Sequence, residues 1–548
     1  MMTPRYLVPL HPKRSAHHFT DVLIIGGGLA GLRAANAVDR NHEVMVVTKD
    51  VLQESNSSYA QGGIAGVMDP EDTFENHIAD TMRAGGNLCD AEVVGMVVRE
   101  SPRRIEELMQ WGTAFDLEDG ELALGREGGH SHERIVHALG DATGQEIMRA
   151  VIEKTRSRKR TTIWERAFTI DLITHDGHCR GAVISRDEGP PIMVWARQTI
   201  LCTGGCGQIF RESTNPPVAT ADGYAAAFRA GVQMRDMEFV QFHPTVLYLA
   251  GSSRSLITEA VRGEGAHLLD VNGNRFMHEY DERKELAPRD IVSQSIVRQM
   301  ERSKHNCVYL SLAHLDAERV RTRFPGIAGV CQQFGLDIAT DRIPVRPGAH
   351  YMIGGVTVDR QGATSMPGLW AAGEVTSSGL HGANRLASNS LVEGLVYGAR
   401  AGEAASRKVT EMPDHLSVQP ILSSIGNVPA QTIDVADVQA SLKSLMGRLV
   451  GVQRDRDGLQ EAAASIESFM AYVMPAQFTN EAGWELQNML STASLIVQSA
   501  LAREESRGVH FRLDHPQPDD EKWRLHLSTR VDQNGGHPTR GALLQPQM

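Results

Sequence analysis

Four single histidines and arginines stand beside glycine or proline turns between residues 237 and 350, a pattern that suits the binding of an anion. They are His243 in Gln-Phe-His-Pro-Thr, Arg262 before Gly-Glu-Gly, Arg289 in Leu-Ala-Pro-Arg-Asp and His350 in Pro-Gly-Ala-His-Tyr. Turns expose side chains into clefts, so the set indicates a binding cleft, although each residue alone is more often structural. Because the net charge is −12, an anionic substrate requires such a local concentration of Arg and His.

The segment 20–49 predicts the β-α-β unit that positions a dinucleotide. The apolar run Val22–Ile25 precedes Gly26, Gly28 and Gly31 in G-x-G-x-x-G spacing, and a helical pattern and a second strand follow. These glycines permit a tight turn, close approach to a pyrophosphate, and close packing of helix on strand. The helix N-terminus then offers free N–H groups to the phosphates. The alternative is a glycine-rich turn in some other α/β unit.

The residues at the end of the second strand do not identify the nucleotide. NAD enzymes usually carry Asp or Glu there for the ribose hydroxyls, whereas this chain has Thr48 and Lys49. The segment therefore indicates a dinucleotide without choosing between NAD and FAD.

Three later segments have the composition of cofactor or substrate loops. Residues 55–66 are small, polar and glycine-rich, which suits either a loop around a flat ring or a plain surface loop. A buried strand ends in Gly373 and Glu374, where the carboxylate is placed to accept hydrogen bonds from ribitol or ribose hydroxyls. Residues 381–391 form a Ser/Asn-rich helix start. Glu127 lies among Arg and His beside a glycine pair, where a solvated loop is the plain alternative.

Composition excludes several classes of protein. A chain of 548 residues is long enough for more than one domain, and its negative charge gives no footprint for nucleic-acid binding. The six cysteines include no CxxC pair, which excludes a Cys-ligated iron–sulfur cluster and fits reduced thiols in the cytoplasm. No apolar run of about 18 residues predicts a membrane-spanning helix. Residues 1–19 lack a signal-peptide core. We expect no membrane association, no nucleic acid and no metal site.

Long motifs spread over nearly the whole chain resemble those of the succinate dehydrogenase/fumarate reductase flavoprotein family. They are DVLIIGGGLAGL, YAQGGIA, LCTGG, QFHPT, ITEAVRGEGAHL, LAPRDIV, GLWAAGEV, GANRLASNSLVEGLV and ESRGVH. The resemblance implies an α/β fold, with a Rossmann-like FAD-binding domain, an inserted α+β capping domain and a C-terminal helical bundle. We expect a flexible tail at 1–19, an FAD-binding domain at 20–236 and 351–415, a capping domain at 237–350 and a helical domain at 430–548. In the last of these, residues 434–472 and 482–504 have helical spacing.

The resemblance also implies roles for individual residues. Arg289 matches the family's acid/base arginine, and Glu259 and Arg262 match positions that relay protons to it. The carboxylates of a four-carbon dicarboxylate would be held by His243, Thr258, His350 and Arg385. FAD contacts would come from Gly26, Gly27, Gly28, Leu29, Ala30, Gly31, Lys49, Asn56, Ser57, Ser58, Tyr59, Ala60, Gln61, Gly62, Gly63, Asp222, Glu374, Ser390 and Leu391.

Two departures distinguish subfamilies. Membrane-bound relatives attach FAD through a histidine at the place of Asn56, and no histidine occurs from 43 to 76, so FAD should be non-covalent. Glu127 supplies a carboxylate for an ammonium group that succinate lacks, and the chain looks like the members that oxidise L-aspartate to iminoaspartate. Electrons would pass to O2, giving H2O2, or to fumarate.

This reading implies a place in metabolism and leaves two alternatives. By the resemblance, the oxidation of L-aspartate is the first step of de novo NAD biosynthesis and its product iminoaspartate feeds quinolinate synthase, so a hand-over to that enzyme is an expected partnership. The first alternative is a soluble fumarate reductase or a succinate dehydrogenase flavoprotein subunit. The second is a flavin-binding module without turnover. Such a module has no evident need of five polar residues that an enzyme would use, and this chain has all five: His243, Thr258, Arg289, His350 and Arg385.

Overall fold

A computed structural model describes residues 4–186, 189–249, 255–413, 415–421, 423, 433–531 and 542–544 of the chain. Its strands are β1 Ala16–Ile25, β2 Val44–Val47, β3 Ile64–Ala65, β4 Leu117–Glu118, β5 Glu121–Leu122, β6 Leu124–Gly125, β7 Ile135–Val136, β8 Thr161–Trp164, β9 Ala167–His175, β10 His178–Arg186, β11 Ile192–Leu201, β12 Met234–Arg235, β13 Val240–Leu247, β14 His267–Leu269, β15 Val308–Ser311, β16 Ile343–Met352, β17 Gly355–Thr357, β18 Leu369–Ala371, β19 Thr376–Ser377, β20 Ser528–Arg530 and β21 Ala542–Leu544.

The helices pack against the sheets and against one another, and three of those near the C-terminus pack together. They are α1 Leu29–Ala37, α2 Phe74–Ala84, α3 Ala91–Gln110, α4 Thr143–Arg156, α5 Asp222–Arg229, α6 Glu259–Gly263, α7 Arg289–Ser303, α8 Ala317–Arg323, α9 Pro325–Gln333, α10 Asn389–Thr410, α11 Val435–Leu449, α12 Arg456–Val473, α13 Glu481–Ala502 and α14 Asp520–Trp523.

The central sheet has the order β8-β2-β1-β11-β10-β9, with β18 also paired to β11. β8, β2, β1, β11 and β18 are parallel, and β10 and β9 are antiparallel. The parallel strands are buried and apolar over residues 22–25 of β1, over β2 and over β18, where α1 and α10 pack against them, as buried parallel strands require. In an open sheet of this kind, ligands bind at the carboxyl ends of the strands.

The predicted β1–α1–β2 unit is confirmed, and its first strand is longer than the sequence indicated. β1 begins at Ala16 because residues 16–20 pair with 192–196 of β11 before the apolar run starts. A Cβ at Gly31 would lie 2.0 Å from the carbonyl oxygen of Gly26, so only glycine allows α1 to pack this closely on the strand end.

The four strands β13 to β16 form a second, antiparallel sheet in the order β13-β16-β15-β14. Its side chains form a separate apolar core with α6, α7, α8 and α9, drawn from residues 247–345. We propose that this unit is the capping domain; its boundaries, like those of the other domains, stay a prediction.

The C-terminal part packs α11, α12 and α13 together. Residues 434–472 are helical as expected, except that a turn divides them into two helices, and Asp455 begins the second by accepting a hydrogen bond from Gly458 N at 2.7 Å. β20 and β21 join β12, β17 and β19 in a further sheet. Of the expected helical domain, residues 430–432, 532–541 and 545–548 lie outside the described residues.

The flexible tail predicted for residues 1–19 is wrong for the described part, 4–19. Tyr6 and Leu7 are buried against β9 and β10, and Leu7 N donates to Asp171 Oδ2 at 2.7 Å. The short apolar run Tyr6–Leu10 has no helical or strand periodicity, so its packing role was not recognisable from spacing. Within the described ranges, no helix is both long and apolar enough to span a bilayer.

Candidate active site

One continuous cavity runs from the carboxyl ends of β1, β11 and β18 to the edge of the second sheet. Its space free of atoms amounts to about 1720 Å³, including the part open to solvent. Such an elongated volume is larger than a typical pocket for a single small ligand and has room for a cofactor and a substrate. Most of the predicted cofactor residues line one part of it, and the predicted substrate residues line the other.

Gly26, Gly27 and Gly28 line the cofactor part of the cavity. Gly26 has φ +118°, and a Cβ there would lie 2.0 Å from the carbonyl oxygen of Cys202 at the end of β11. Gly28 faces the cavity, and a Cβ there would meet Ser57 Oγ only at 3.5 Å. Of the predicted cofactor residues, Gly31 and Ser58 do not line the cavity. The others do: Gly26, Gly27, Gly28, Leu29, Ala30, Lys49, Asn56, Ser57, Tyr59, Ala60, Gln61, Gly62, Gly63, Asp222, Glu374, Ser390 and Leu391.

Glu374 follows β18 and is tied to the loop that carries Asn56. Its Oε2 accepts a hydrogen bond from Asn56 Nδ2 at 2.8 Å, and its Oε1 accepts one from Met352 N at 3.0 Å. Burial raises the pKa of Glu374 to about 7. A buried carboxylate with this pKa is stabilised by further hydrogen-bond donors, which hydroxyl groups of a nucleotide supply.

Lys49 extends from the end of β2 into a polar cluster that local sequence did not indicate. Its Nζ donates to Asp222 Oδ2 at 2.9 Å, to Thr220 Oγ1 at 2.6 Å and to Glu485 Oε1 at 2.6 Å. The position that usually carries an acid in NAD enzymes thus holds a cation paired with acids from α5 and α13.

The substrate part is assembled from five separate segments. The pairing of β13 with β16 is irregular between His243 and Val246, because Pro244 has no N–H to donate to the neighbouring strand. His243 thus lies on β13 directly before this irregularity. Thr258 and Arg289 stand at the start of α6 and α7, and His350 lies on β16. Arg385 comes from the loop before α10. All five line the cavity and all are buried except His350, which is partly exposed.

Two of these side chains keep buried nitrogens without a partner among the described residues, His243 Nε2 and Arg385 Nε. Arg385 lies over the ring of Tyr351, with Cζ 4.6 Å from the ring centroid, and its remaining hydrogen bonds, to Leu386 O and Ser390 Oγ, are long at 3.4 and 3.5 Å. Unpaired buried donors are costly, so their presence indicates that an acceptor binds here.

The electrostatics favour an anion. Burial and then Arg289 hold the pKa of His243 well below its ordinary value, and the same two causes act on His350, so both imidazoles are neutral hydrogen-bonding groups near pH 7. Burial and then repulsion from Arg289 lower the pKa of Arg385 to about 10, which leaves it charged. A carboxylate bound between two guanidinium groups that repel each other would stabilise both of their charges.

Glu259 joins Arg289 to Arg262 in a buried chain of charges. Arg289 Nε donates to Glu259 Oε2 at 2.6 Å, and Arg262 NH2 lies 3.3 Å from Glu259 Oε1. Burial alone would raise the pKa of Glu259, but Arg289 and Arg262 hold it below its ordinary value. Glu259 and Arg262 do not line the cavity, so they reach it only through Arg289.

Glu127 lines the same end of the cavity and is held by Ser388, whose Oγ donates to Glu127 Oε2 at 2.6 Å. Burial and then repulsion from Glu259 raise the pKa of Glu127, and the attraction of Arg289 opposes them. A cation placed beside Glu127 would therefore stabilise its ionised form.

Sequence reasoning missed three residues that shape this end. Ser388 adopts a left-handed conformation with φ +61°, Tyr351 faces Arg385, and Gln241 lies 3.4 Å from Arg289 NH1. Tyr351 follows the predicted His350, and Gln241 and Ser388 each lie two residues from a predicted one, so closeness within the motif was the available signal.

Comparison with known proteins connects this site to a family. A model described as an FAD binding domain matches residues 21–391, and one described as fumarate reductase flavoprotein C-term matches residues 439–541. The L-aspartate oxidase of Streptomyces coelicolor is 42% identical over 532 residues, covering 93% of this chain and 91% of the relative. The chain belongs to the L-aspartate oxidase family of flavoproteins.

Other members and solved structures agree. The chloroplastic L-aspartate oxidase of Arabidopsis thaliana is 42% identical over 543 residues, covering 93% of this chain and 83% of the relative. A variant of the E. coli quinol fumarate reductase has a TM-score of 0.87 and 30% identity, covering 97% of each chain. The expected succinate dehydrogenase/fumarate reductase fold is confirmed.

FAD is the cofactor of this L-aspartate oxidase family member, and the cavity fits it. Asn56 Oδ1, Gln61 Oε1 and Thr203 Oγ1 are buried polar atoms without partners among the described residues, and all three side chains belong to the cavity wall. Asn56, at the place of the attaching histidine in membrane-bound relatives, offers no such attachment, and FAD is held non-covalently.

Proposed function

We propose that this chain oxidises L-aspartate to iminoaspartate with its bound FAD. The observation that carries the proposal is the pairing of opposite charges at one end of the cavity. Arg289 and Arg385 provide for the substrate carboxylates, and the buried carboxylate of Glu127, within electrostatic reach of both, provides for the ammonium group.

The substrate carboxylates are proposed to bind to five residues: His243, Thr258, Arg289, His350 and Arg385. Neutral His243 and His350 donate hydrogen bonds without adding charge, and the two arginines supply the charge. Since L-aspartate carries two carboxylates and one ammonium, a site with two cationic groups and one anionic group matches it in number and sign.

The chain's residues orient the substrate for loss of two electrons and two protons. Bound FAD supplies the acceptor for the hydride that leaves Cα. Glu127 fixes the ammonium and so orients the single Cα–H toward the cofactor, and the arginine clamp prevents rotation about the carbon chain. The nitrogen gives up a proton as the C=N bond forms.

Arg289 is proposed to act differently in the oxidation of L-aspartate and in the reduction of fumarate. A guanidinium does not deprotonate near neutrality on its own, so in amine oxidation Arg289 binds charge. When fumarate is the electron acceptor, one carbon must gain a proton, and the chain Arg262–Glu259–Arg289 provides a path to that carbon.

We further propose O2, giving H2O2, or fumarate, giving succinate, as electron acceptors. The oxidation of L-aspartate would be the first step of de novo NAD biosynthesis, and its unstable product iminoaspartate would be handed to quinolinate synthase. Iminoaspartate hydrolyses in water, which is the chemical reason to expect rapid use by a second enzyme.

A second candidate is a fumarate reductase or succinate dehydrogenase flavoprotein. The intact Arg289–Glu259–Arg262 chain and the match to the fumarate reductase structure favour it. Glu127 distinguishes the two, because a buried carboxylate beside the substrate opposes the binding of a dicarboxylate without an ammonium group.

The test is a steady-state assay of the purified yellow protein. We expect H2O2 from L-aspartate and none from D-aspartate, with FAD released by acid. Rapid succinate oxidation together with no turnover of L-aspartate would replace the first candidate by the second.

A further inference from the structure

Helix α13 contributes Glu485 to the cluster around Lys49, beside the cofactor part of the cavity. Lys49 Nζ has three acceptors within 2.9 Å, namely Glu485 Oε1, Asp222 Oδ2 and Thr220 Oγ1. An ammonium group has three N–H donors, so the three acceptors fix its orientation completely.

Helix α13 also contributes Asn488, which contacts Asp222. Asn488, one turn after Glu485, donates from Nδ2 to Asp222 Oδ1 at 2.8 Å, while its own Oδ1 accepts from Arg229 NH1 at 2.7 Å. Both carboxylate oxygens of Asp222 are thereby used, one by α13 and one by Lys49 and Thr220.

Glu485 and Asn488 differ from Lys49 and Asp222 in their position. Lys49 and Asp222 line the cavity, and Glu485 and Asn488 do not. The side chains of Lys49 and Glu485 are 16% and 20% exposed, so their ion pair is shielded from most solvent. Burial alone would lower the pKa of Lys49, but Asp222 and Glu485 raise it, which keeps Lys49 charged.

We propose that Glu485 and Asn488 are positioning residues for FAD, which hold Lys49 and Asp222 in the orientation that these two present to the nucleotide. The C-terminal helices are then part of the cofactor site, and retention of FAD depends on their docking. The inference concerns the cofactor and does not depend on which substrate is oxidised, so its failure leaves the proposed function standing.

The experiment uses the full-length holoprotein and measures the dissociation constant of FAD from the fluorescence released on dilution. Glu485→Gln removes one charge at nearly constant shape, and we expect it to weaken FAD binding about tenfold, as for loss of a hydrogen bond to a charged group. At saturating FAD, the KM for L-aspartate should not change. Glu467→Gln, an exposed acid on α12, is the matched control and should retain FAD as the unmodified chain does.

A double-variant comparison separates positioning from general stability. If Glu485 acts through Lys49, the variant with both Lys49→Gln and Glu485→Gln should bind FAD no more weakly than Lys49→Gln alone. An FAD affinity unchanged or increased in Glu485→Gln, or strictly additive losses in the double variant, would overturn the inference. If the Gln variant does not fold, Glu485→Asp keeps the charge one methylene short, and an unchanged FAD affinity in it overturns the inference equally.

Discussion

Replacing Glu127 by Gln tests the assignment of the ammonium site. The side chain is 5% exposed, and its hydrogen bond from Ser388 Oγ, at 2.6 Å, can be kept by the Gln carbonyl oxygen, so the change removes charge and preserves packing. What is lost is the interaction of a buried carboxylate with the substrate ammonium. A hydrogen bond to a charged group contributes about 1.5–3 kcal/mol, which corresponds to a roughly 10- to 150-fold lower kcat/KM for L-aspartate.

The assay compares L-aspartate oxidation with inhibition by succinate, which has the two carboxylates and no ammonium. Succinate should bind Glu127→Gln as well as or better than the unmodified chain, because a negative charge beside it is removed. Glu133→Gln, an exposed acid six residues away in the same loop, serves as the control and should change neither quantity. Equal losses for L-aspartate and succinate would refute the reasoning.

The same variant should change the pH profile. Burial and then Glu259 raise the pKa of Glu127, so the carboxyl is protonated below this raised pKa and ionised above it. kcat/KM for L-aspartate should therefore fall as pH decreases through that value, and this acid limb should be absent from Glu127→Gln. An acid limb of the same position in both proteins would assign it to another group.

Three further predictions follow from separate contacts. Gly26→Ala, which forces a side chain at φ +118° against the neighbouring strand, should yield protein with little bound FAD, seen as a lower ratio of flavin to protein absorbance. Glu259→Gln should slow fumarate reduction by roughly 100-fold, the scale of general acid catalysis, and slow L-aspartate oxidation less, since Arg289 needs its relay only to deliver a proton; equal losses would contradict this. Asp171→Ala, which removes the carboxylate that neutralises the fully buried Arg229, should lower the free energy of unfolding by about 3–5 kcal/mol in urea titrations.

The parts of the fold that depend on neighbours in sequence were predictable. The glycine fingerprint specifies its own β-α-β unit because Gly26 and Gly31 approach each other within six residues. The split between α11 and α12 is different, because its cap at Asp455 interrupts a continuous apolar spacing that by itself fits one helix. The buried N-terminal segment also escaped prediction, since Leu7 is fixed by Asp171, 164 residues away.

The candidate site shows the same division. Individual motifs are enough to pick out His243, Arg289 and Arg385 as candidate site residues, and the family resemblance supplies their roles. The partner of Lys49 on α13 lies 436 residues away in the chain, and no local pattern connects Glu485 to a nucleotide. Likewise the left-handed backbone at Ser388, which places its hydroxyl on Glu127, is set by tertiary packing, because Ser has no intrinsic preference for that conformation.

Anaerobic mixing of the yellow holoprotein with L-aspartate tests the central claim most directly. The account predicts that the visible absorbance of the oxidised flavin is lost on adding L-aspartate, is retained with D-aspartate, and is restored by air or by fumarate. Flavin that stays oxidised in the presence of excess L-aspartate, in protein that carries its full complement of FAD, would contradict the account.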